Sequence, residues 1–311
     1  MDPHRRHQRT PTLAWLLALL AALLAANSLL GPLALEVIDY RYSDSLINQG
    51  IGLDAVALAG AVPIAILAAR LVHRGHMAGP VLALVPATFA AYMAPQYIVG
   101  PDYLNLPGNN ERFFVFHLAL FIAGMSVAVV AWRSIDPGRL RPSTGTSDRR
   151  RSLVLFGVIA FILVGRWLGG VIDLLGGHPT NTDYLENPTA YLLIGVLDLG
   201  IIVPAATATA IALRRHHLWA RTAAYAVIGW FALVPAAVAA MAIVMTINDD
   251  PNASTPATVT FVVAAAVFTV GAPALYRPIL QPASRSQQPR EPDAAEHPVT
   301  GYRTAEQGAT R

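Results

Sequence analysis

The chain of 311 residues contains no cysteine and no lysine, and only 13% of its residues are charged. The absence of cysteine excludes disulfides, thiolate metal sites and thiol nucleophiles. The absence of lysine leaves every fixed positive charge to arginine, which we attribute to genomic base composition. A soluble domain carries about 25% charged residues, so the composition falls outside that class.

Several signature motifs are missing as well. The chain has no P-loop, no GxGxxG, no HExxH, no aspartate-rich prenyl-binding motif and no GxSxG. These absences disfavour energy-coupled pumps and the commonest membrane enzymes, and we predict neither a cofactor nor a metal site. The net charge of +3 does not predict nucleic-acid binding, because the arginines lie where membrane topology places them.

Long apolar runs recur along the whole chain, and hydrophobic residues make up 54% of it. Runs of about 20 apolar residues are typical of helices that cross a lipid bilayer. We predict an all-α integral membrane bundle of eight spans, at residues 11–30, 50–72, 77–99, 113–132, 153–175, 190–213, 222–246 and 257–276. The first run resembles a signal peptide in its basic flank, but it exceeds the 7–15 apolar residues of such a peptide. We therefore expect it to be retained.

Arginine placement predicts the orientation. Of the 22 arginines, 19 fall in the two tails and the even-numbered connections, and only Arg41, Arg112 and Arg166 do not. By the positive-inside rule both termini are cytoplasmic, in the inner or plasma membrane of the cell. The opposite face has acidic, aromatic connections. The predicted divisions are a tail at 1–10, a four-helix unit at 11–133, a linker at 134–151, a second unit at 152–279 and a disordered tail at 280–311.

The two units resemble one another. A shift of 144 positions places Asp39-Tyr40 on Asp183-Tyr184 and Asp54 on Asp198. Four spans per unit give both copies the same orientation, so we predict two parallel repeats related by an axis along the membrane normal. Binding sites in such proteins lie near the interface between the repeats.

Asp198 is the foremost candidate residue, because an ionisable group inside an apolar span marks a functional site by default. From the predicted span ends, Asp198 and Arg166 each lie about 12–14 Å deep on consecutive antiparallel helices. We expect them to form an ion pair, which either fixes helix register or belongs to a ligand or proton site. Asp173 shares one helical stripe with Arg166 and Gly170.

Other candidates are weaker. We expect Asp54 to lie only four residues inside its span, facing either interfacial water or Asp198 across the repeat axis. His117 is the only histidine in a predicted span, where it is either a core residue or part of a proton relay. In the outer connections Asp39, Tyr40, Asp183 and Tyr184 either bind a cation or sugar-like ligand or anchor the chain at the interface.

The segment VLDLGIIVPA at residues 196–205 follows Asn187 and precedes an Arg-Arg pair, and FFVFHLALF at 113–121 is aromatic. With these segments the chain resembles a set of uncharacterised bacterial eight-span integral membrane proteins. The resemblance implies the topology and no activity.

The sequence favours a protein that binds or transports a small polar solute or protons at an outward-facing site between the two halves. One alternative is a membrane-embedded enzyme that acts on a lipid or isoprenoid, with Asp198 or His117 as acid or base. Another is a structural or sensory subunit. The bilayer is the expected partner, and the sequence leaves the substrate, coupling ion and oligomeric state open.

Overall fold

The computed structural model describes residues 3–140 and 145–280. This part of the chain is helical and contains no strand. Its α-helices are Pro3–Leu30 (α1), Asp44–Val56 (α2), Val62–His73 (α3), Ala78–Val99 (α4), Phe114–Ser134 (α5), Gly145–Ala160 (α6), Leu168–Leu175 (α7), Thr182–Glu186 (α8), Pro188–Gly195 (α9), Val203–Arg214 (α10), Leu218–Ile247 (α11) and Thr255–Leu280 (α12).

Within these residues eight helical segments are long and apolar enough to cross a membrane, so the protein is a multi-pass membrane protein. In chain order spans 1 to 8 are Pro11–Leu30, Asp44–His73, Ala78–Val99, Asn110–Ser134, Ser147–Leu175, Pro188–Arg214, Leu218–Ile247 and Thr255–Arg277. The number of spans is as predicted, and most ends agree to within a few residues.

Spans 2 and 5 are the exceptions, because each begins six residues before the predicted start. Span 2 has a defined N-cap. Its first residue is Asp44, and the Ser43 hydroxyl accepts a hydrogen bond from the Leu46 N–H (3.4 Å) as an N-cap. Such a cap satisfies one of the orphan N–H groups of a helix end. Asn48 and Gln49 are polar and lower the local hydropathy, so hydropathy alone did not predict this first part of the helix.

Three spans contain a π-helical segment: Ala57–Ala61 in span 2, Phe161–Trp167 in span 5 and Val196–Ile202 in span 6. Single π-helical turns inside α-helices are frequent at functional sites. Pro63 and Pro204 follow the first and third segments. A proline lacks the N–H that continues the α-helical ladder, so a local change of hydrogen-bond register is expected beside it.

The centre of the bundle is formed by spans 2, 3, 6 and 7. Span 3 packs on spans 2, 4, 6 and 7, while span 7 packs on spans 2, 3, 6 and 8. Close approach of spans 2 and 7 depends on Gly52, since a Cβ atom there would collide with the backbone at Met241. Small residues of this kind allow membrane helices to approach closely.

The connection between spans 1 and 2 folds back onto the bundle. The Asp39 N–H donates to Asn109 Oδ1 (2.9 Å), and the Arg41 N–H donates to Asn110 Oδ1 (2.7 Å). The Arg41 guanidinium also pairs with Glu111 at 2.7 Å. These contacts hold the two neighbours of Tyr40, and the Tyr40 side chain points inward and is 1% exposed.

Parts of the predicted tails and linker are helical. Helix α1 includes residues 3–10 of the predicted first tail, and α6 begins at Gly145 inside the predicted linker 134–151. The predicted disordered tail lies outside the described residues beyond Leu280.

Candidate functional site

A cavity of about 190 Å³ lies among the central spans, in the half of the bundle near the acidic connections. Aromatic and aliphatic side chains form most of its wall. Its lining includes Tyr40, Tyr42, Gln49, Leu53, Phe89, Tyr92, Gln96, Tyr97, Phe161, Arg166, Ile194, Asp198, Trp230, Phe231, Met241 and Phe261. An apolar pocket with a few convergent polar groups is the default binding-site hypothesis for a structure without ligands.

Arg166 brings a positive charge to this cavity from the π-helical segment of span 5. Its guanidinium lies 5.2 Å from the centroid of the Trp167 ring, a cation–π contact. Among the described residues it has no hydrogen-bonded acceptor and no carboxylate within 4.0 Å. Arginine carries five N–H donors, so this side chain is able to bind an acceptor group in the cavity.

Asp198 brings the opposite charge from the π-helical segment of span 6, and it is 8% exposed. Its Oδ2 accepts from Trp167 Nε1 and its Oδ1 from the Tyr92 hydroxyl, both at 2.8 Å. The predicted ion pair with Arg166 is therefore wrong. Both residues line the cavity, but the Asp198 carboxylate accepts hydrogen bonds from neutral donors. The indole of Trp167 contacts both, with its face on Arg166 and its N–H on Asp198.

Asp54 lies deeper than predicted and faces neither water nor Asp198. It is ten residues into span 2, about 15 Å at 1.5 Å per residue, and it is 0% exposed. Its carboxylate accepts from the hydroxyls of Tyr97 (2.9 Å) and Tyr40 (3.1 Å) and from Asn27 Nδ2 (3.1 Å). Burial, together with the charge of Asp54, raises the pKa of Tyr40 well above its ordinary value, so Tyr40 acts as a donor.

Three hydrogen bonds offset part of the cost of burying Asp54. Burying an ionised group costs several kcal/mol even after the protein relaxes. A hydrogen bond to a charged group returns about 1.5–3 kcal/mol, and Asp54 accepts three.

His117 lies in span 4 behind Tyr97. It is fully buried, and its ring stacks on the Tyr97 ring with centroids 5.1 Å apart. Neither ring nitrogen has a hydrogen-bond partner among the described residues. Asp54 and its donors Asn27, Tyr40 and Tyr97 form the Asp54 cluster. His117 does not line the cavity but packs against this cluster.

The remaining predicted residues lie nearer the acidic face. Asp173 does not line the cavity, because it accepts from Thr180 and Asn181 and holds the connection after span 5. Asp39 is exposed. Asp183 lines a small side pocket that also contains Arg166.

Tyr184 packs edge-on against Tyr191, with ring centroids 5.8 Å apart. Of the four outer-connection candidates, Tyr40 is the one that lines the main cavity.

Sequence reasoning missed the neutral partners of the two carboxylates. They are Trp167, Tyr92, Tyr97 and Asn27. A signal was present, since two tyrosines and Gln96 interrupt span 3. Tyrosine is common in membrane proteins at the lipid interface, which makes a buried donor hard to recognise from sequence. No group of three or more His, Asp or Glu side chains converges within the described residues.

Comparisons with protein-family models, with curated proteins and with solved structures found no match to this chain. The resemblance to bacterial eight-span proteins therefore stays a prediction. Function has to be argued from the cavity and its residues.

Proposed function

We propose that this protein binds and transports a small polar solute at an outward-facing site between two related halves. The solute carries an anionic group on an apolar or aromatic body. The observation that carries the proposal is the cavity, in which the guanidinium of Arg166, unpaired among the described residues, faces a wall of aromatic and aliphatic side chains.

The wall favours an amphipathic solute over a strongly hydrated one. Polar groups form only a small share of the lining, and nine of the lining residues are aromatic. A carboxylate would pair with the guanidinium in a charge-assisted hydrogen bond. The apolar body would then leave water and contact the aromatic rings. Asp198, occupied by Trp167 and Tyr92, would hold Trp167 in place under Arg166.

We propose that the two halves are parallel repeats. Ser43 and Asn187, which are 144 residues apart, bond to each other: the Ser43 N–H donates to Asn187 Oδ1 (3.0 Å) and Asn187 Nδ2 donates to Ser43 Oγ (2.7 Å). Around a two-fold axis, only residues near the axis contact their own counterparts. The packing of span 1 on 2, 2 on 3 and 3 on 4 recurs in spans 5 to 8, which also supports the repeat.

We propose that the acidic face is outside and the termini are cytoplasmic in the cell membrane, as the arginine distribution predicts. The side pocket that contains Asp183 and Glu186 shares Arg166 and Gln49 with the main cavity and lies toward the acidic face. At the arginine-rich end the buried Asp148 contacts Arg221 (3.5 Å) and Arg151 (4.0 Å), which fastens span 5 to span 7. These observations support access from outside.

The two alternatives have less support. An enzyme that uses His117 would need this residue in the cavity, and His117 does not line it. A purely structural subunit would have no use for a cavity with a buried carboxylate and an unpaired guanidinium.

The first test uses phenylacetate and its neutral analogue phenylacetamide with purified protein. We expect phenylacetate to bind and phenylacetamide to bind at least tenfold more weakly, because only the carboxylate pairs with Arg166. Arg166→Gln should weaken phenylacetate binding by about tenfold or more, which corresponds to about 1.4 kcal/mol. Isothermal titration calorimetry measures binding, and counterflow of radiolabelled phenylacetate in proteoliposomes measures transport.

Arg112→Gln is the matched control. It removes the same charge from an exposed position on the acidic face that does not line the cavity, so binding should be unchanged. Binding without counterflow would favour a sensory subunit. Equal binding of both compounds, or an equal loss in both variants, would contradict the role of Arg166.

A further inference from the structure

Asp54 lies behind the cavity wall and does not itself contact a solute in the cavity. Asp54 is fully buried and does not line the cavity, but Tyr40 and Tyr97, which bond to its carboxylate, both do. The side chains of Tyr40 and Tyr97 therefore connect a membrane-buried carboxylate with the wall of the cavity. We propose that Asp54 is a proton-binding site that exchanges with the cavity through Tyr40 and Tyr97.

The charges around Asp54 favour this role. Within the described residues it has no arginine or histidine partner within 4.0 Å. Span 1 presents the neutral Asn27, the connection presents Tyr40, and span 3 presents Tyr97 with His117 behind it. Span 7 approaches through backbone at Gly52 and brings no charge. A carboxylate in a membrane interior without a cationic partner is an expected member of a proton pathway.

Asn27 supplies an independent observation. Its Nδ2 donates to Asp54, while its Oδ1 is buried and has no hydrogen-bond partner in the part of the chain that the structure describes. Ionised Asp54 accepts three donors, but a protonated Asp54 has an O–H that needs an acceptor. Rotation of the Asn27 amide by a half-turn would present Oδ1 to that proton. The cluster thus contains the acceptor that the neutral form needs, left unused while Asp54 is charged.

Proton transfer balances without any further reactant. A tyrosine hydroxyl passes its proton to the Asp54 carboxylate and takes one from a hydronium ion in the cavity. The hydronium ion is left as water, Asp54 gains one proton, and the tyrosine ends as it began. A hydroxyl is suited to this relay because it donates and accepts at once.

The site is linked to the solute if the proposed function holds, and this part of the inference rests on it. An anion in the cavity favours the neutral form of Asp54, so its binding takes up a proton. By reciprocity, the protein binds the anion more tightly when Asp54 is protonated. The linkage predicts that one proton enters with each anionic solute.

Infrared difference spectroscopy on the full-length protein tests the site without any solute. Between high and low pH, wild type should gain a protonated-carboxyl C=O band that shifts in D₂O. Asp54→Asn, which keeps the size and polarity of the side chain, should lose this band, and Asp198→Asn should keep it. Asp54→Glu should restore a band at a shifted frequency and pH midpoint. A band that persists in Asp54→Asn, or vanishes in Asp198→Asn, would overturn the assignment.

The route is tested by the rate of hydrogen–deuterium exchange of that band, which should slow in the Tyr40→Phe/Tyr97→Phe double variant. An unchanged rate would overturn the route through the tyrosines.

The linkage is tested with phenylacetate at pH values where it stays ionised. As the pH rises, the affinity of wild type for phenylacetate should fall by up to about tenfold per pH unit. The affinity of Asp54→Asn should not depend on pH. Phenylacetate that binds with no pH dependence would overturn the linkage alone. If phenylacetate does not bind, the proposed function is overturned. The infrared measurement then tests the proton site at Asp54 by itself.

Discussion

At the residue scale, the two buried carboxylates are held by neutral donors rather than by cations. Asp198 accepts from an indole and a phenol, and Asp54 from two phenols and an amide. These donors satisfy the carboxylate oxygens without placing a positive charge beside them. Arg166 keeps its donors free for the same reason: the nearby carboxylate is already occupied.

Trp167 is the residue on which this arrangement depends most. Its N–H bonds Asp198, its ring face carries Arg166, and its edge packs against Tyr191 (centroids 5.1 Å). Trp167→Phe would keep an aromatic ring but leave one Asp198 oxygen without its donor. A buried polar group that loses its partner costs about 1–3 kcal/mol, so we expect a clear fall in thermal stability in detergent.

Trp15→Phe is the control for this prediction. Trp15 is 76% exposed on span 1, so the same change there should leave the melting temperature nearly unchanged. Equal melting temperatures for the two variants would mean that the Trp167–Asp198 bond contributes no net stability.

At the scale of the helices, breaks in the α-helical ladder position the charged groups. Arg166 and Asp198 both lie on π-helical segments, and Asp54 lies one turn before the π-helical segment Ala57–Ala61 of span 2. A π-helical turn shifts the direction in which side chains leave the helix. The central helices can also approach closely, because small residues occupy their crossing points.

Gly52→Ala tests the crossing of spans 2 and 7. The added methyl group would meet the backbone of Met241, and backbone cannot move aside as a flexible side chain can. Overpacking of this kind costs about 1–3 kcal/mol. We expect lower thermal stability and weaker phenylacetate binding, because Leu53 and Met241 on these spans line the cavity.

Gly157→Ala is the matched control in span 5, where a Cβ atom meets nothing within 4 Å. Alanine is the better helix former, so stability there should stay the same or rise slightly. A loss of stability in both variants alike would point to a general intolerance of substitution and against the specific crossing.

At the scale of the whole molecule, charge separates the two faces. One face carries most of the arginines, and the other carries acidic and aromatic connections together with the cavity. The absence of cysteine allows single introduced cysteines to report on each face. Leu104 is 93% exposed on the acidic face, and the Arg139 side chain is 69% exposed on the other.

We expect Leu104→Cys to react with a membrane-impermeant maleimide in intact cells. Arg139→Cys should react only after the membrane is permeabilised, because the positive-inside rule places its connection in the cytoplasm. Labelling measured by gel shift decides between the two orientations. The reverse pattern would put the cavity on the cytoplasmic side and refute an outward-facing site.

Hydropathy along the chain is enough to predict the class of protein, the number of spans and most of their ends. Those features depend on the free energy of transferring runs of residues into lipid, which is local in the chain. It also identified Arg166, Asp198 and Asp54 as costly residues, because a charge inside an apolar run is visible without a structure. Neutral hydrogen-bonding groups give a much weaker signal in such runs.

The contacts of those charged residues, by contrast, depend on how the spans pack. The donors to Asp198 come from spans 3 and 5, and those to Asp54 come from span 1, span 3 and a connection. Such contacts depend on how helices rotate and cross, and many rotations bury the same apolar area. One particular set of helix rotations produces the cavity. The same rotations leave the Arg166 guanidinium and the Asn27 Oδ1 without partners among the described residues, so no local pattern could predict these features.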